Sequence, residues 1–270
     1  MRFLCLHGAG TNSHVLDIQT GPIREALGAK ATYEFCDGFC EVEPVQGSSP
    51  VRGARSLTNI HHSEIKNIFT GPFYTWYSPG LGGHTLAEAK AELLDLIATE
   101  GPFDACMGFS QGAALLAAVI MDHQTRHPYG PNLFQLAVFI CGGSPLLATK
   151  TLEQNDPDYR PTVDDMSMFT QPWLGPYVPG HEPQADEQWN IFMAQKVKDA
   201  GLTIRIPTAH IYGAKDHTVK ESLNLRDMCD PRRRVEFDHG GKHEVPRTPR
   251  IVQQMATTIS RAIDKAMTAH

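Results

Sequence analysis

Apolar positions along the chain fall into two alternating patterns. Runs of strand length lie at Arg2–Leu6, Ala31–Cys36, Phe103–Met107, Leu136–Cys141, Thr208–Tyr212 and Arg234–Phe237. Between them lie segments whose apolar residues keep helical spacing. Ile18–Leu27 contains one helix. Thr85-x-x-Glu88 reads as a capping box opening a second, with Leu86, Ala89, Leu93, Leu96 and Ile97 on one face and Gly101 at its end. Ala113–Met121 is apolar, free of Gly and Pro, and helix-prone. Ile251, Met255, Ile259, Ile263 and Met267 recur every four residues and predict an amphipathic C-terminal helix. Strands alternating with helices predict an α/β fold built on a mostly parallel, doubly wound sheet.

One stretch breaks the rhythm. From Pro157 to Pro183 the chain carries six prolines together with Tyr159, Phe169, Trp173 and Tyr177. Disordered segments are poor in aromatics, and long irregular segments inside a domain are usually functional. Residues 148–205 are therefore expected to form a lid or pocket wall, with Phe169, Trp173 and Tyr177 as substrate-binding residues. A helix carrying Trp189, Phe192, Met193 and Val197 and ending at Gly201 would anchor it. No linker divides the chain, so residues 1–270 are expected to form a single domain.

Composition narrows the function. The net charge is −6 and the basic residues are scattered apart from Arg232–Arg234, which borders a strand, so nucleic acid is not an expected partner. No apolar run is long enough to span a bilayer, and Arg2–Leu6 is already strand rather than signal peptide. Neither a membrane nor a secretory route is expected. The six cysteines do not form a disulfide framework: Cys5, Cys106 and Cys141 fall in apolar strands, Cys36 and Cys40 are too far apart for C-x-x-C, and Cys229 stands alone. A reduced, cytoplasmic protein is the expectation.

The candidate chemistry centres on Gly108-Phe109-Ser110-Gln111-Gly112, set between a strand and a helix. A G-x-S-x-G in that context is a nucleophile elbow, whose sharp turn projects the serine hydroxyl above the sheet. Serine is a weak nucleophile until a base takes its proton and a carboxylate orients the base. Asp216 follows the strand Thr208–Tyr212, with Asp238 as its rival. His239 and His243 share the Gly-rich loop after Arg234–Phe237; His243 lies beyond the diglycine, where the loop can fold back over the sheet. An oxyanion hole needs two backbone N–H groups. Gln111 supplies one, and Ala9 in the turn Leu6-His7-Gly8-Ala9-Gly10-Thr11-Asn12 is expected to supply the other. Gly8-x-Gly10 with Asp37 also resembles half of a dinucleotide fingerprint, but Ser13 stands where its third glycine should be.

Together Leu6-His7-Gly8-x-Gly10-x-Asn12, Gly108-Phe109-Ser110-Gln111-Gly112, Gly213-x-x-Asp216 and His239-(x)3-His243-x-Val245-Pro246 resemble the FSH family of serine hydrolases, which includes ovarian-cancer-associated serine hydrolases and fungal polyketide-releasing thioesterases. The resemblance covers roughly residues 1–147 and 206–250. It implies an α/β-hydrolase fold with Ser110 as nucleophile, Asp216 as orienting acid and His243 as base. Lys242 departs from the family's usual His-x-Gly-Gly-His. The expected activity is hydrolysis of an acyl ester or thioester through an acyl-enzyme, without metal or organic cofactor. The expected substrate is a small acyl compound, with a polyketide chain on an acyl carrier protein as the finer assignment. A cyclase using the same triad and a non-catalytic binding module are the alternatives.

Overall fold

A computed structural model of the chain describes residues 1–29, 31–42, 71–77, 84–143 and 202–268. Six strands form one sheet: β1 (Arg2–Leu6), β2 (Thr32–Cys36), β5 (Ala105–Phe109), β6 (Leu136–Ile140), β7 (Thr208–Tyr212) and β8 (Arg234–Asp238). Their order is β2-β1-β5-β6-β7-β8, and every neighbouring pair is parallel. Two short strands, β3 (Cys40–Val42) and β4 (Phe73–Thr75), pair antiparallel in a separate ribbon. The helices are α1 (Ser13–Leu27), α2 (Leu86–Glu100), α3 (Gln111–Arg126), α4 (Val219–Asp227) and α5 (Pro249–Met267). Among the described residues no helix is long and apolar enough to cross a membrane.

The central strands are apolar on both faces because helices cover both. Leu4, Leu6, Cys106, Ala137 and Phe139 point into one core, shared with Leu93 of α2 and Leu116 of α3. Phe3, Cys5, Met107, Phe109, Val138 and Ile140 point into the other, shared with Leu16 and Ile23 of α1 and Met255 and Ile259 of α5. The period-two alternation of strand side chains sorts adjacent residues into these two cores. Register then levels the carboxyl ends: Leu6 lies beside Gly108, Phe109 beside Ile140, Ile140 beside Ile211 and Tyr212 beside Asp238. The loops after β1, β5, β7 and β8 therefore emerge along one edge. The chain goes from β1 to β2 on one side and returns to β5 on the other, which opens a crevice at the carboxyl ends where open α/β sheets bind ligands.

Local departures from the sequence reading have physical causes. Helix α1 starts five residues before Ile18, because Asn12 caps it by accepting the Val15 N–H at 2.9 Å. Pro22 lies inside it, at a general cost of ~3 kcal/mol. Burial of Val15, Leu16 and Ile23 offsets that, at about 1.5–3 kcal/mol for each large side chain. The C-terminal stripe also differs. Four residues advance a helix by about 400°, so a strict repeat of four drifts round the surface. Met267 ends up 66% exposed, and the buried stripe runs through Val252, Met255, Ala256, Ile259, Ala262 and Ala266. The capping box of α2 forms as expected: Glu88 N–H donates to Thr85 Oγ1 at 3.2 Å, and Thr85 N–H to Glu88 Oε2 at 2.7 Å. The expected lid at 148–205, with the helix around Trp189, lies outside the described residues apart from its last few positions.

Two buried histidines make the fold acid-sensitive. His210, in the middle of β7, is held down to about 3 by burial and by the nearby Arg234 and Arg226 charges. Burial likewise holds His7 down to about 4. In both cases the unfolded chain binds the proton more readily, so stability is complete above about pH 6.5 and is lost as pH falls toward the folded values. Linkage puts the loss at roughly 2 kcal/mol for each histidine at pH 5. Urea denaturation at pH 7.5 and pH 5 is expected to show this loss, and His210→Asn to reduce it by about 2 kcal/mol. An unchanged pH dependence in that variant would contradict the assignment.

Candidate active site

Ser110 sits at the turn between β5 and α3 with φ 54° and ψ −116°, in the left-handed half of backbone space where a side chain is strained. Two glycines make that turn possible. A Cβ on Gly108 would lie 2.5 Å from the Ala113 nitrogen, and one on Gly112 would lie 2.5 Å from the Leu6 carbonyl oxygen. Helix α3 therefore starts closer to β1 and β5 than any side chain at these positions would allow. Backbone bonds fix the turn further, from Ser110 N–H to Ile140 O at 3.0 Å and from Gly143 N–H to Ser110 O at 3.2 Å.

The loops after β7 and β8 bring two more groups to the serine. His243 Nε2 lies 2.9 Å from Ser110 Oγ, and His243 Nδ1 lies 2.7 Å from Asp216 Oδ2. All three residues are buried. The other oxygen of Asp216 is also an acceptor: the Thr218 N–H and the Thr218 hydroxyl both donate to Oδ1 at 2.8 Å, and His217 Nδ1 lies 3.4 Å from it. Burial alone would raise the Asp216 carboxyl, but these bonds from His243 and Thr218 outweigh it and hold it below the usual carboxylate range. With Asp216 ionised, Nδ1 carries the proton and Nε2 faces the serine as a base. Such a row can move the serine proton to the imidazole as Oγ attacks a carbonyl.

The other candidates are elsewhere. His239 accepts the Gly241 N–H at Nδ1 (3.2 Å) and turns Nε2 toward Cys141 Sγ at 3.8 Å. Asp238 braces its loop by accepting the Ala214 and Gly240 N–H groups at 2.9 and 2.7 Å. Lys242 is exposed. Phe169, Trp173 and Tyr177 lie outside the described residues.

A model of the serine hydrolase (FSH1) family matches residues 1–255, which include the whole of this row. The chain belongs to that family. This serine hydrolase is 33% identical to "Esterase FPY3" of Fusarium mangiferae over 99% of both chains. It is 26% identical to "Esterase alnB" of Emericella nidulans, over 100% of this chain and 99% of that one. It is 27% identical to "Hydrolase FUB4" of Fusarium oxysporum f. sp. lycopersici over 92% of both. Among solved structures, a monoacylglycerol lipase of Paleococcus ferrophilus aligns with TM-score 0.49 and 14% identity, over 98% of this chain and 94% of that one. The chain's own six-stranded parallel sheet, packed on both faces by helices, makes the fold α/β.

Around the hydrolase's serine, the two expected oxyanion positions are differently anchored. Gln111 is the first residue of α3, so its N–H is among those that point out of a helix N-terminus. Its side chain grips the ribbon: Oε1 accepts from Thr75 Oγ1 at 2.6 Å and from the Trp76 N–H at 3.0 Å, while Nε2 donates to Tyr77 O at 3.0 Å. Ala9 lies in the loop after β1, which is stitched to the same ribbon. Gly10 N–H donates to Tyr74 O at 2.8 Å, Tyr74 N–H to Thr11 O at 2.7 Å, and Asn12 Nδ2 to Pro72 O at 3.0 Å. His7 locks the start of this loop. Its Nδ1–H donates to Gly8 O at 2.6 Å, its Nε2 accepts the Gly38 N–H at 2.9 Å, and its carbonyl accepts the Trp76 indole N–H at 2.7 Å.

Sequence reasoning missed Thr218, His7 and the side-chain role of Gln111. The spacing Asp216-x-Thr218 was a usable signal, since Asp side chains commonly accept from the backbone two residues on. One other group of donors gathers here. Cys141 Sγ, Asp216 and His243 have ligand atoms within 4.8 Å of one another, the spacing a metal ion would need. They fit a metal poorly. Burial and the Asp216 charge push the Cys141 thiol well up, so it stays a neutral S–H, and Asp216 and His243 turn their facing atoms to each other.

Gln111→Leu is expected to remove the acceptor of the buried Trp76 N–H and of the buried Thr75 hydroxyl. Each such group costs about 1–3 kcal/mol, so roughly 3 kcal/mol should be lost in urea denaturation. A loss below about 0.5 kcal/mol would show that the ribbon is not held by this side chain.

Proposed function

We propose that this serine hydrolase cleaves acyl esters or thioesters through an acyl-enzyme on Ser110. The observation that carries the proposal is the unbroken row of short hydrogen bonds from Ser110 Oγ through His243 to Asp216. Ser110 Oγ attacks the acyl carbonyl and His243 Nε2 takes its proton. Asp216 holds the imidazole in the required tautomer and offsets the positive charge that forms. His243 then returns the proton to the leaving alcohol or thiol, and water repeats the sequence to release the acid. Thr218 keeps Asp216 fixed while this happens.

The negative charge on the carbonyl oxygen is met by the N–H groups of Ala9 and Gln111. His7 supports this reading. A trans peptide unit is planar, with its C=O and N–H pointing in opposite directions. Pinning the Gly8 carbonyl therefore also aims the Ala9 N–H. The helix dipole of α3 adds partial positive charge at Gln111.

Esterase activity is supported by the relatives that bear that name. For the acyl group, the family resemblance favours a polyketide chain on an acyl carrier protein, handled by one domain with residues 148–205 forming the acyl-side wall. A pantetheine thioester assayed beside the matching p-nitrophenyl ester tests this directly. Turnover of the ester alone would remove the carrier-protein reading and leave an esterase.

Ser110→Ala and His243→Ala are each expected to lower kcat on p-nitrophenyl esters by on the order of 10⁴-fold, and the double variant to be scarcely worse. His239→Ala should keep most of the activity. Fluorophosphonate labelling should vanish in folded Ser110→Ala and persist in folded His239→Ala. Near wild-type turnover by folded Ser110→Ala would falsify the mechanism, and a reversal of the two histidine variants would move the base to His239.

A further inference from the structure

A second nucleophile–base–carboxylate row lies on the β3–β4 ribbon and α2, composed of residues that the hydrolytic site does not use. Cys40 opens β3, paired with Thr75 of β4. His84 lies just before α2, and Glu92 lies within it. The Cys40 sulfur is 3.1 Å from His84 Nδ1, and His84 Nε2 is 2.8 Å from Glu92 Oε1. The backbone N–H of His84 also donates to the sulfur, at 3.2 Å. Phe39 packs edge-on to the imidazole, with ring centres 6.3 Å apart.

We propose that Cys40 is a covalent modification site for activated alkenes, with His84 as the base that activates its thiol. Glu92 presents a carboxylate oxygen, which can only accept, so His84 Nε2 carries a proton and Nδ1 is the free ring position. The thiol proton has Nδ1 at 3.1 Å as its near acceptor, against Trp76 O at 4.0 Å. Transfer to Nδ1 leaves a thiolate that accepts two N–H groups, one from the imidazolium and one from the His84 backbone. The thiolate adds to the terminal carbon of an alkene conjugated to a carbonyl. A C–S bond forms, the π electrons move to the carbon next to the carbonyl, and His84 Nδ1 returns its proton there. No oxidant or other reagent is consumed.

Access also favours this thiol. Cys40, His84 and Glu92 are all partly exposed. Cys5, Cys106, Cys141 and Cys229 are buried, and burial pushes their thiols up. Cys36 is the other partly exposed thiol. Burial, with the Glu100, Glu34 and Asp37 charges, pushes it up to about 11.

The test is labelling of the full chain with limiting N-ethylmaleimide at pH 7, followed by peptide mapping. Cys40 is expected to react roughly ten times faster than glutathione, an unactivated thiol that is only a few per cent thiolate at that pH, and faster still than Cys36. His84→Ala should bring Cys40 down to the rate of glutathione or below, and Glu92→Gln, a change at a half-exposed helix position, should slow it partway. Ser110→Ala should label at the wild-type rate, which separates this site from the hydrolytic one. A Cys40 rate no higher than that of glutathione would overturn the proposal, and that comparison in the wild-type protein needs no variant to fold. An unchanged Cys40 rate in both His84→Ala and Glu92→Gln would overturn the role of the base.

Discussion

Helix α3 begins almost in contact with the ends of β1 and β5, and the geometry around Ser110 depends on that approach. The space is so small that a single methyl at Gly108 or Gly112 would collide with backbone atoms of Ala113 or Leu6. Close packing there forces the positive φ of Ser110 and lifts its hydroxyl out of the sheet. The strain is supported from both sides, by apolar cores that bury β5 and α3 almost completely. Residues held in such conformations persist only when their surroundings over-determine them.

The remaining groups are brought in by register. Parallel pairing from β1 through β8 ends the strands at one level, so Asp216 and His243, from loops far apart in sequence, arrive on the same edge as Ser110. Each is then fixed by a local device: Thr218 occupies the second oxygen of Asp216, and Asp216 fixes the ring of His243. The β3–β4 ribbon fixes the crevice from the other direction. It binds the Gln111 side chain at the start of α3 and the Gly10–Asn12 loop after β1, so the two sides of the serine are tied to one element.

Much of this was legible in the sequence. All six strands of the main sheet were placed to within two residues at each end, the four central ones by apolar runs, because parallel strands buried on both faces need near-continuous apolar sequence, and the edge strand β2 by its alternation. The capping box located α2, and G-x-S-x-G located the elbow. Other parts left little signal. β3 and β4 have three residues each, too short to show any period. In α4 only Ser222 and Leu225 are buried, so no apolar stripe marks the helix. Asn12 caps α1 six residues before Ile18, and the polar Ser13, His14 and Asp17 hide the apolar face of its first turns. His7 and Thr218 act through hydrogen bonds to backbone and carboxylate, and such partners become visible only when distant segments meet.

The central claim is that the Ser110 hydroxyl itself carries the acyl group between two half-reactions. Rapid acid quench of the enzyme with excess p-nitrophenyl ester, followed by intact-protein and peptide mass spectrometry, reads that directly. The account predicts one acyl group per chain, located on the peptide containing Ser110, with a burst of p-nitrophenol of equal stoichiometry. Product formation without any acylated chain, or an acyl group on a different residue, would contradict it.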